Sequence, residues 1–372
     1  MAAEPTPAAR GGNKLIGLQT GRGVAAGLVV ITHAVDHPFP DSVDVIHLLG
    51  RYGVTLFFVI SGFIMVYTTG KGSFDVRKFM WRRITRIVPI YYLATFIAAA
   101  GVLLVPAAFK NTYFDWEHIG KSLLFIPMYE PGPVGEITPF VKLGWTLNFE
   151  MFFYVAFAGL FFLGQNARAV VLTVFFGLLI AAGQIWDFDS AVLEYYTRID
   201  TLGFVAGVWL GCLASGPGIR GRWMAWPLQA VSLVLVLYFW FNYADIKDNP
   251  WAQVMLVAAA AMQVAVLIMP LGWTSNAPRW AVFAGDGSYS MYLFHMFAVG
   301  AVTVLVRRFF PDMLFAAIPL SAIGGVVFGL CVYQFIEKPV NQWFKRQGGF
   351  RTGLVQGTTD SPAVQPNRVG KA

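Results

Sequence analysis

Apolar runs of roughly the length that crosses a lipid bilayer recur along the whole chain. A spanning helix needs about 20 predominantly apolar residues, because each residue advances the helix by about 1.5 Å. Backbone polar groups find no water in the hydrocarbon core, so such segments must be helical. The sequence therefore predicts an all-α polytopic membrane protein with about ten transmembrane helices. The predicted spans are residues 15–35, 53–69, 86–107, 145–163, 168–186, 199–215, 225–243, 251–271, 288–306 and 313–336.

The composition excludes a soluble domain, because 57% of the 372 residues are apolar and only 13% are charged. A formal net charge of +7 would also suit a nucleic-acid-binding protein. The basic residues gather in short loops, however, which indicates orientation in the membrane, so we expect no nucleic acid partner. Cys212 and Cys331 lie inside apolar runs and are typical of small core residues. We therefore expect no metal site.

The charges of successive loops predict the orientation of the chain. Basic residues flank alternate connections, the opposite connections carry mainly aspartate and glutamate, and basic loops stay in the cytoplasm. Arg307 and Arg308 depart from this pattern. We expect both termini in the cytoplasm, with a cytoplasmic N-terminal segment at residues 1–14 and a transmembrane domain at residues 15–340. Residues 341–372, rich in Gly, Thr, Pro and Asn, are predicted to be a disordered cytoplasmic tail.

Arg22 and His33 both lie inside the first apolar segment. An ionisable side chain at bilayer depth costs several kcal/mol, so it rarely persists there without a function. At about 100° per residue, eleven steps place the two residues on one helix face, about 16 Å apart. One side chain would then lie near each membrane surface. This arrangement indicates a site that reaches across the membrane.

Glu150 lies in the fourth predicted span, roughly 8 Å below the outer surface and at a depth similar to that of His33. A carboxylate beside an imidazole orients the ring and favours proton abstraction from a hydroxyl. We therefore interpret His33 as a catalytic residue and Glu150 as its partner. A purely structural pair that joins two helices is the alternative.

Arg82, Arg83 and Arg86 open the third span. Arg82 and Arg86 are four residues apart and lie on one side of the helix. Arginine clusters fit phosphate groups through planar contacts with several donors. The same cluster could instead set the topology and contact anionic lipid. Arg22, at the same membrane face, favours the phosphate site, because topology does not require an arginine inside a span.

Four further residues are secondary candidates. Ser61 lies in a run of small and large residues that is typical of close helix packing, so we interpret it as a packing residue. Ser288, Tyr289 and His295 lie in the ninth span, where His295 is either a second functional group or a satisfied core histidine, and the second reading is favoured. Glu337 closes the last span and is interpreted as a helix end.

Six segments in this order resemble the membrane acyltransferase-3 family. The resemblance covers about residues 15–340, so we expect this region to be a transmembrane acyltransferase domain. Residues 124–127 and 144–150 are most similar to the exopolysaccharide and O-antigen O-acetyltransferases of that family. The family often has an acidic residue where Thr55 stands, and no role is assigned to Thr55. The segments are Arg22-Gly23 with His33, residues 53–63, residues 82–89, residues 145–150, residues 288–295, and Glu337-Lys338-Pro339.

The resemblance implies an enzyme of the bacterial cytoplasmic (inner) membrane. Such an enzyme moves an acyl group, usually acetyl from cytoplasmic acetyl-CoA, to a hydroxyl of an extracytoplasmic or lipid-linked carbohydrate. It implies that Arg22 and His33 are essential. The expected partners are the lipid bilayer, acyl-CoA, the carbohydrate acceptor and polysaccharide-assembly proteins. The residues expected to bind the phosphates of acetyl-CoA are Arg22, Arg82, Arg83 and Arg86.

Two other classes of protein fit the buried charges. In a transporter or flippase for a lipid-linked glycan, such charges line a pathway, but the sequence has no paired interrupted helices in two matching halves. A non-catalytic partner in polysaccharide assembly would tolerate the loss of His33. Within the enzyme reading, His33 is either a general base or a transient acyl carrier, and both remain open.

The predicted orientation can be tested by cysteine labelling in a variant that lacks Cys212 and Cys331. Asp189→Cys should react with a membrane-impermeant maleimide added outside the cell, because the loop around it is acidic. Arg220→Cys should react only after the membrane is permeabilised, because its loop is basic. Labelling in the opposite pattern would invert the membrane topology, including the face at which acetyl-CoA would bind.

Overall fold

The computed structural model describes residues 7–40, 44–106, 112–132, 135–216, 221–247 and 249–347. These residues form helices, and the sole β-type pairing among them is an isolated bridge between Tyr129 and Ile137. The helices are α1 (Pro7–Asp36), α2 (Ile46–Thr69), α3 (Val76–Leu104), α4 (Trp116–Leu123), α5 (Trp145–Gly159), α6 (Gln165–Ile185), α7 (Ala191–Tyr196), α8 (Leu202–Ser215), α9 (Ala225–Ile246), α10 (Pro250–Leu267), α11 (Gly272–Ser275), α12 (Arg279–Asp286), α13 (Ser288–Phe309), α14 (Ala317–Val332) and α15 (Lys338–Gln347).

The prediction of an all-α polytopic membrane protein is confirmed. Within the described residues, eight helical stretches are long and apolar enough to cross a membrane. They contain α2, α3, α6, α8, α9, α10, α13 and α14. The two remaining predicted spans correspond to α1, which has 30 residues, and α5, which has 15. With these two helices the number of spans comes to about ten.

The ends of two helices differ from the hydropathy pattern. α2 begins at Ile46 and α3 at Val76, earlier than the predicted starts at residues 53 and 86. Hydropathy detects only the apolar part of a helix, whereas capping groups decide where the helix begins. At α3 the cap is Asp75, whose side chain accepts a hydrogen bond from the Lys78 amide at 3.0 Å.

The first seven residues of the predicted tail, 341–347, are helical. α15 continues to Gln347, so the prediction of disorder is wrong for residues 341–347. The physical reason is an aromatic contact, because the ring of Phe344 packs edge-on against Trp81 of α3 at 6.0 Å. The rest of that tail, and residues 1–6 of the predicted N-terminal segment, lie outside the described residues.

α1 packs against α2, α12, α13 and α14, so it is the helix that contacts most of the elements carrying the candidate residues. Its buried face carries small and branched side chains, including Ala25, Ala26 and Val30. α13 is fixed in turn by α14, whose Gly325 lies directly against the side chain of His295. The polar face of α1 is therefore held opposite α13. We use "Arg22 end" and "His33 end" for the two ends of this part of the bundle.

Close contact between α2 and α8 depends on glycine. A methyl group at Gly62 would overlap the backbone oxygen of Phe204, and one at Gly207 would overlap the backbone oxygen of Val59. Small residues at such positions allow two helices in lipid to approach closely and gain van der Waals contact. This contact fixes the face of α2 that carries Ser61.

We expect Gly207→Ala to lower the thermal midpoint of the detergent-solubilised protein. The added methyl must displace backbone, and overpacking of this kind costs about 1–3 kcal/mol. Gly177→Ala is the matched control, since a methyl there meets no atom within 4 Å. It should keep the midpoint or raise it slightly, because alanine favours the helix. Equal midpoints for the two variants would contradict the close α2–α8 contact.

Candidate functional site

A cavity of about 70 Å³ lies between α1, α2, α3, α5 and α13. Its wall combines apolar and aromatic side chains with buried charges, and such cavities between helices are typical ligand sites. Three of the arginines predicted to bind the donor, Arg22, Arg83 and Arg86, line it together with the predicted catalytic residue Glu150. The hydroxyl-bearing residues in the wall are Ser61, Thr146, Tyr154, Tyr289 and Tyr292.

Arg22 enters the cavity from α1 and is only 7% exposed. Its Nη1 donates to Oε1 of Gln19 at 3.2 Å, and Nε2 of Gln19 donates to Oδ1 of Asp286 at 2.8 Å. α12 supplies Asp286 and approaches α1 closely, since Gly285 lies against the Gln19 backbone. Arg22 is therefore positioned through a neutral amide, and most of its donors remain available to a ligand.

Arg83 is buried between the rings of Phe79 and Tyr154, each 5.7 Å from its guanidinium carbon. Its Nη2 reaches Oγ1 of Thr68 at 3.5 Å. Its Nε has no hydrogen-bond partner among the described residues. A buried guanidinium donor without a partner is costly unless an anion can accept from it.

Arg86 is half-buried at the edge of the same cavity, whereas Arg82 is exposed and lies outside it. Consecutive helical residues differ by about 100°, so Arg82 points away when Arg83 points inward. The structure thus brings together three of the four arginines predicted to bind the donor and excludes Arg82 from the cavity.

Glu150 lies in the second turn of α5 and is half-buried. Its Oε1 accepts from Oγ of Ser61 at 3.0 Å and from the hydroxyl of Tyr154. It also interacts electrostatically with Arg22 and Arg83. Glu150 therefore belongs to the arginine cavity. Ser61, interpreted from the sequence as a packing residue, is a hydrogen-bond donor in this network.

The predicted contact between Glu150 and His33 is wrong. Among the described residues, the hydrogen-bond partners of His33 are Val29 and His295. The prediction placed Trp145 at the membrane surface, but the chain before it is already buried at Phe140 and Leu143. The chain before α5 thus packs inside the bundle, and α5 directs Glu150 toward Ser61 of α2 rather than toward His33.

His33 instead faces His295 of α13. Nδ1 of His33 lies 3.3 Å from Nε2 of His295, and the ring centroids are 5.1 Å apart. His33 is half-buried, whereas His295 is fully buried. The sequence reading of His295 as a core histidine is therefore incomplete, because its second nitrogen meets the ring of His33.

The backbone assigns the protons of this pair. Nδ1 of His33 lies 2.9 Å from the Val29 oxygen, and Nδ1 of His295 lies 3.1 Å from the Met291 oxygen. A carbonyl oxygen only accepts, so each neutral ring carries its proton on Nδ1. His33 Nδ1–H is then shared with the bare Nε2 of His295. This leaves Nε2 of His33 with a free lone pair.

Tyr292 connects the cavity to the histidine pair. It lines the cavity, and its ring lies 6.5 Å from that of His295. Its hydroxyl donates to the Leu143 oxygen at 2.9 Å and accepts from Oγ1 of Thr146 at 3.0 Å. Sequence reasoning missed Tyr292 and Tyr154. Tyr154 had a usable signal, since it stands four residues after Glu150 and so shares its helix face.

The remaining candidates are Tyr289, Ser288 and Thr55. Two of them donate hydrogen bonds to backbone oxygens, and the third has no partner among the described residues. Tyr289 lines the cavity and donates to the Ile87 oxygen at 2.8 Å. Ser288 is buried outside the cavity wall, and its hydroxyl has no partner among the described residues. Thr55 donates to the Arg51 oxygen at 2.8 Å, a bond within its own helix. No cluster of three or more metal-ligating side chains occurs in the described part of the chain.

An acyltransferase domain model matches residues 15–334. The chain belongs to the acyltransferase-3 family. The exopolysaccharide production protein ExoZ of Rhizobium meliloti (strain 1021) is 34% identical over 300 residues, which cover 78% of this chain and 90% of ExoZ. No solved structure matches the chain. The family assignment makes the protein a membrane acyltransferase.

More distant relatives share the same core. A candidate peptidoglycan O-acetyltransferase of Bacillus subtilis (strain 168), YrhL, is 23% identical over 350 residues, which cover 82% of this chain and 51% of YrhL. This chain therefore spans about half the length of YrhL. A candidate acetyltransferase of Acidianus two-tailed virus is 26% identical over 271 residues, or 69% of this chain and 76% of the viral protein.

Proposed function

We propose that the protein is an O-acetyltransferase that moves acetyl from acetyl-CoA, bound at the Arg22 end, to a carbohydrate hydroxyl at the His33 end. One observation carries the proposal. Arg22, in a cavity with two more arginines, and His33, paired with His295, lie eleven residues apart along α1. Tyr292 borders both places, so a donor held by the arginines can extend toward the histidines.

The arginine cavity supports an anionic donor. Arg83 keeps an unpartnered Nε, and Arg22 is held by the neutral side chain of Gln19. Phosphate oxygens accept from several guanidinium donors at once, and coenzyme A offers phosphates of this kind. The aromatic wall formed by Phe57, Phe58 and Tyr292 suits the less polar part of the donor.

The histidine pair supports general-base chemistry. The free Nε2 of His33 takes the proton of the acceptor hydroxyl while its oxygen attacks the thioester carbonyl. The carbon–sulfur bond then breaks and the thiolate leaves, to be protonated to the free thiol. His295 accepts from His33 Nδ1–H, which fixes the tautomer and stabilises the imidazolium that forms. The same lone pair would also serve a transient acyl-histidine.

The acceptor and the location are proposed from the relatives and the loop charges. ExoZ carries a name from exopolysaccharide production, and YrhL one from peptidoglycan O-acetylation. A carbohydrate or lipid-linked glycan is accordingly the proposed acceptor, with polysaccharide-assembly proteins as partners. Basic loops at the Arg22 end favour a cytoplasmic position for that end in a bacterial cell, where acetyl-CoA is available.

Reconstitution with acetyl-labelled acetyl-CoA tests the function. The purified protein in lipid vesicles should release coenzyme A and transfer the label to an added glycan isolated from the bacterium that carries this protein. His33→Ala should lower transfer at least about a hundredfold, because general bases contribute about 10²–10⁴-fold. Correctly inserted protein that transfers no label, or a His33→Ala variant with parental activity, would contradict the proposal.

His295 should matter through His33. We expect His295→Ala to lower kcat strongly and His295→Gln to recover part of the loss, because the Gln oxygen can still accept from His33 Nδ1–H. His47→Gln is the matched control, since His47 contacts Asp36 and, within the described residues, forms no hydrogen bond to His33 or His295. Parental kcat in His295→Ala would show that the pairing has no role in catalysis.

The arginines can be tested with lysine, which keeps the charge and removes the planar fork of donors. Arg22→Lys, Arg83→Lys and Arg86→Lys should each raise the KM for acetyl-CoA by roughly ten- to a hundredfold, the effect of losing one charge-assisted hydrogen bond. The KM for the acceptor should change little. Arg82→Lys is the control, because Arg82 lies outside the cavity. If all four variants behave alike, the donor binds elsewhere.

A further inference from the structure

Glu337 is a buried carboxylate in an otherwise exposed turn. It is 3% exposed, whereas its apolar neighbours Phe335 and Ile336 are 75% and 37% exposed. Burying a charge is costly, while turning apolar side chains toward lipid costs little. The inward position of Glu337 therefore requires compensating partners inside the bundle.

A π-helical turn at Tyr333–Glu337 produces this orientation. The turn joins α14 to α15, so the sequence interpretation of Glu337 as a helix end is wrong. A π turn inserts an extra residue and rotates the following side chains, and such turns are frequent at functional sites. Here the rotation brings the carboxylate to α13, where Oγ of Ser290 donates to its Oε2 at 2.5 Å.

The carboxylate lies beside the arginine cavity, because Tyr289, the neighbour of Ser290, lines that cavity and donates to the oxygen of Ile87, which follows Arg86 in the chain. Glu337 attracts Arg86 and Arg22 electrostatically, while these two arginines repel each other. Within the described residues, neither arginine forms a direct ion pair with Glu337. Its charge therefore offsets the repulsion without occupying guanidinium donors that a ligand needs.

We propose that Glu337 is a positioning residue for the donor site, which holds Arg22 and Arg86 together at the cavity against their mutual repulsion. The phosphate-bearing thioester donor then meets both guanidinium groups in place. This inference rests on the proposed function, because it assumes that the arginines bind the donor. Ser290 holds the carboxylate, so α13, the helix of His295, is linked to the arginine site.

Removing the charge of Glu337 distinguishes a residue that positions the arginines from one that only repels the phosphates of the bound donor. A carboxylate near bound phosphate repels it, so a residue that acted only in this way would weaken donor binding, and its loss would tighten it. A positioning residue has the opposite effect. Without Glu337, the acid that lines the cavity, Glu150, attracts the arginines and draws their donors away from the ligand.

We expect Glu337→Gln to raise the KM for acetyl-CoA about tenfold and to change kcat by less than about twofold. In an Arg86→Gln background the same change should add less than about twofold, because residues that act through each other are non-additive. Ser290→Ala keeps the charges of Glu337 and of the arginines but removes the hydrogen bond that holds the carboxylate. It should therefore raise the KM for acetyl-CoA by a smaller factor. Glu117→Gln, at an exposed glutamate of α4, is the control.

Binding of coenzyme A itself, measured by calorimetry on the solubilised protein, separates this inference from the proposed function. If the parent transfers no acetyl but binds coenzyme A more tightly than Glu337→Gln does, the positioning role stands and the proposed reaction fails. A parental or lowered KM and Kd in Glu337→Gln overturns the positioning role, as does a full tenfold effect in the Arg86→Gln background. If Glu337→Gln does not insert, a parental KM and Kd in Ser290→Ala overturns it.

Discussion

The cost of holding positive charge inside an apolar bundle governs the architecture of this site. Arg22 and Arg83 are almost fully buried, and each would be expensive in hydrocarbon without nearby partners. Gln19 and Asp286 hold Arg22, aromatic faces hold Arg83, and Glu150 supplies negative charge. α12 packs against α1, and α3 packs against α5, where these partners are needed. The bundle therefore maintains a cationic cavity that an anionic ligand can complete.

The two chemical centres lie on one helix and have different electrostatic character. The arginine cavity contains charged groups of both signs, whereas the partner of His33 is a neutral imidazole. A carboxylate beside His33 would bring a second buried charge, and a neutral acceptor avoids that cost. His295 can still fix the tautomer of His33, because its own Nδ1–H is committed to the Met291 oxygen. The pair thus provides a base without a permanent charge.

Several tyrosines connect these centres to the rest of the bundle. Tyr154 joins Glu150 to Arg83, and Tyr292 joins α13 to the chain at Leu143 and Thr146. Each hydroxyl satisfies buried polar groups, while its ring packs in the apolar interior. The residue that connects the arginine cavity with the histidine pair, Tyr292, is therefore a neutral one.

The sequence by itself determined the fold class, the first helix and the polar residues worth following. Apolar runs must be helical in a bilayer, and 3.6 residues per turn place Arg22 and His33 on one face whatever surrounds them. Tertiary structure decided which polar side chains on different helices become hydrogen-bond partners. The partner of Glu150 depends on how α5 packs against α2, which hydropathy cannot measure. The pairing of His33 with His295, and of Glu337 with Ser290, depends on helix rotation and on a π turn, because hydrogen bonds form only where neighbouring helices bring two polar atoms within about 3 Å.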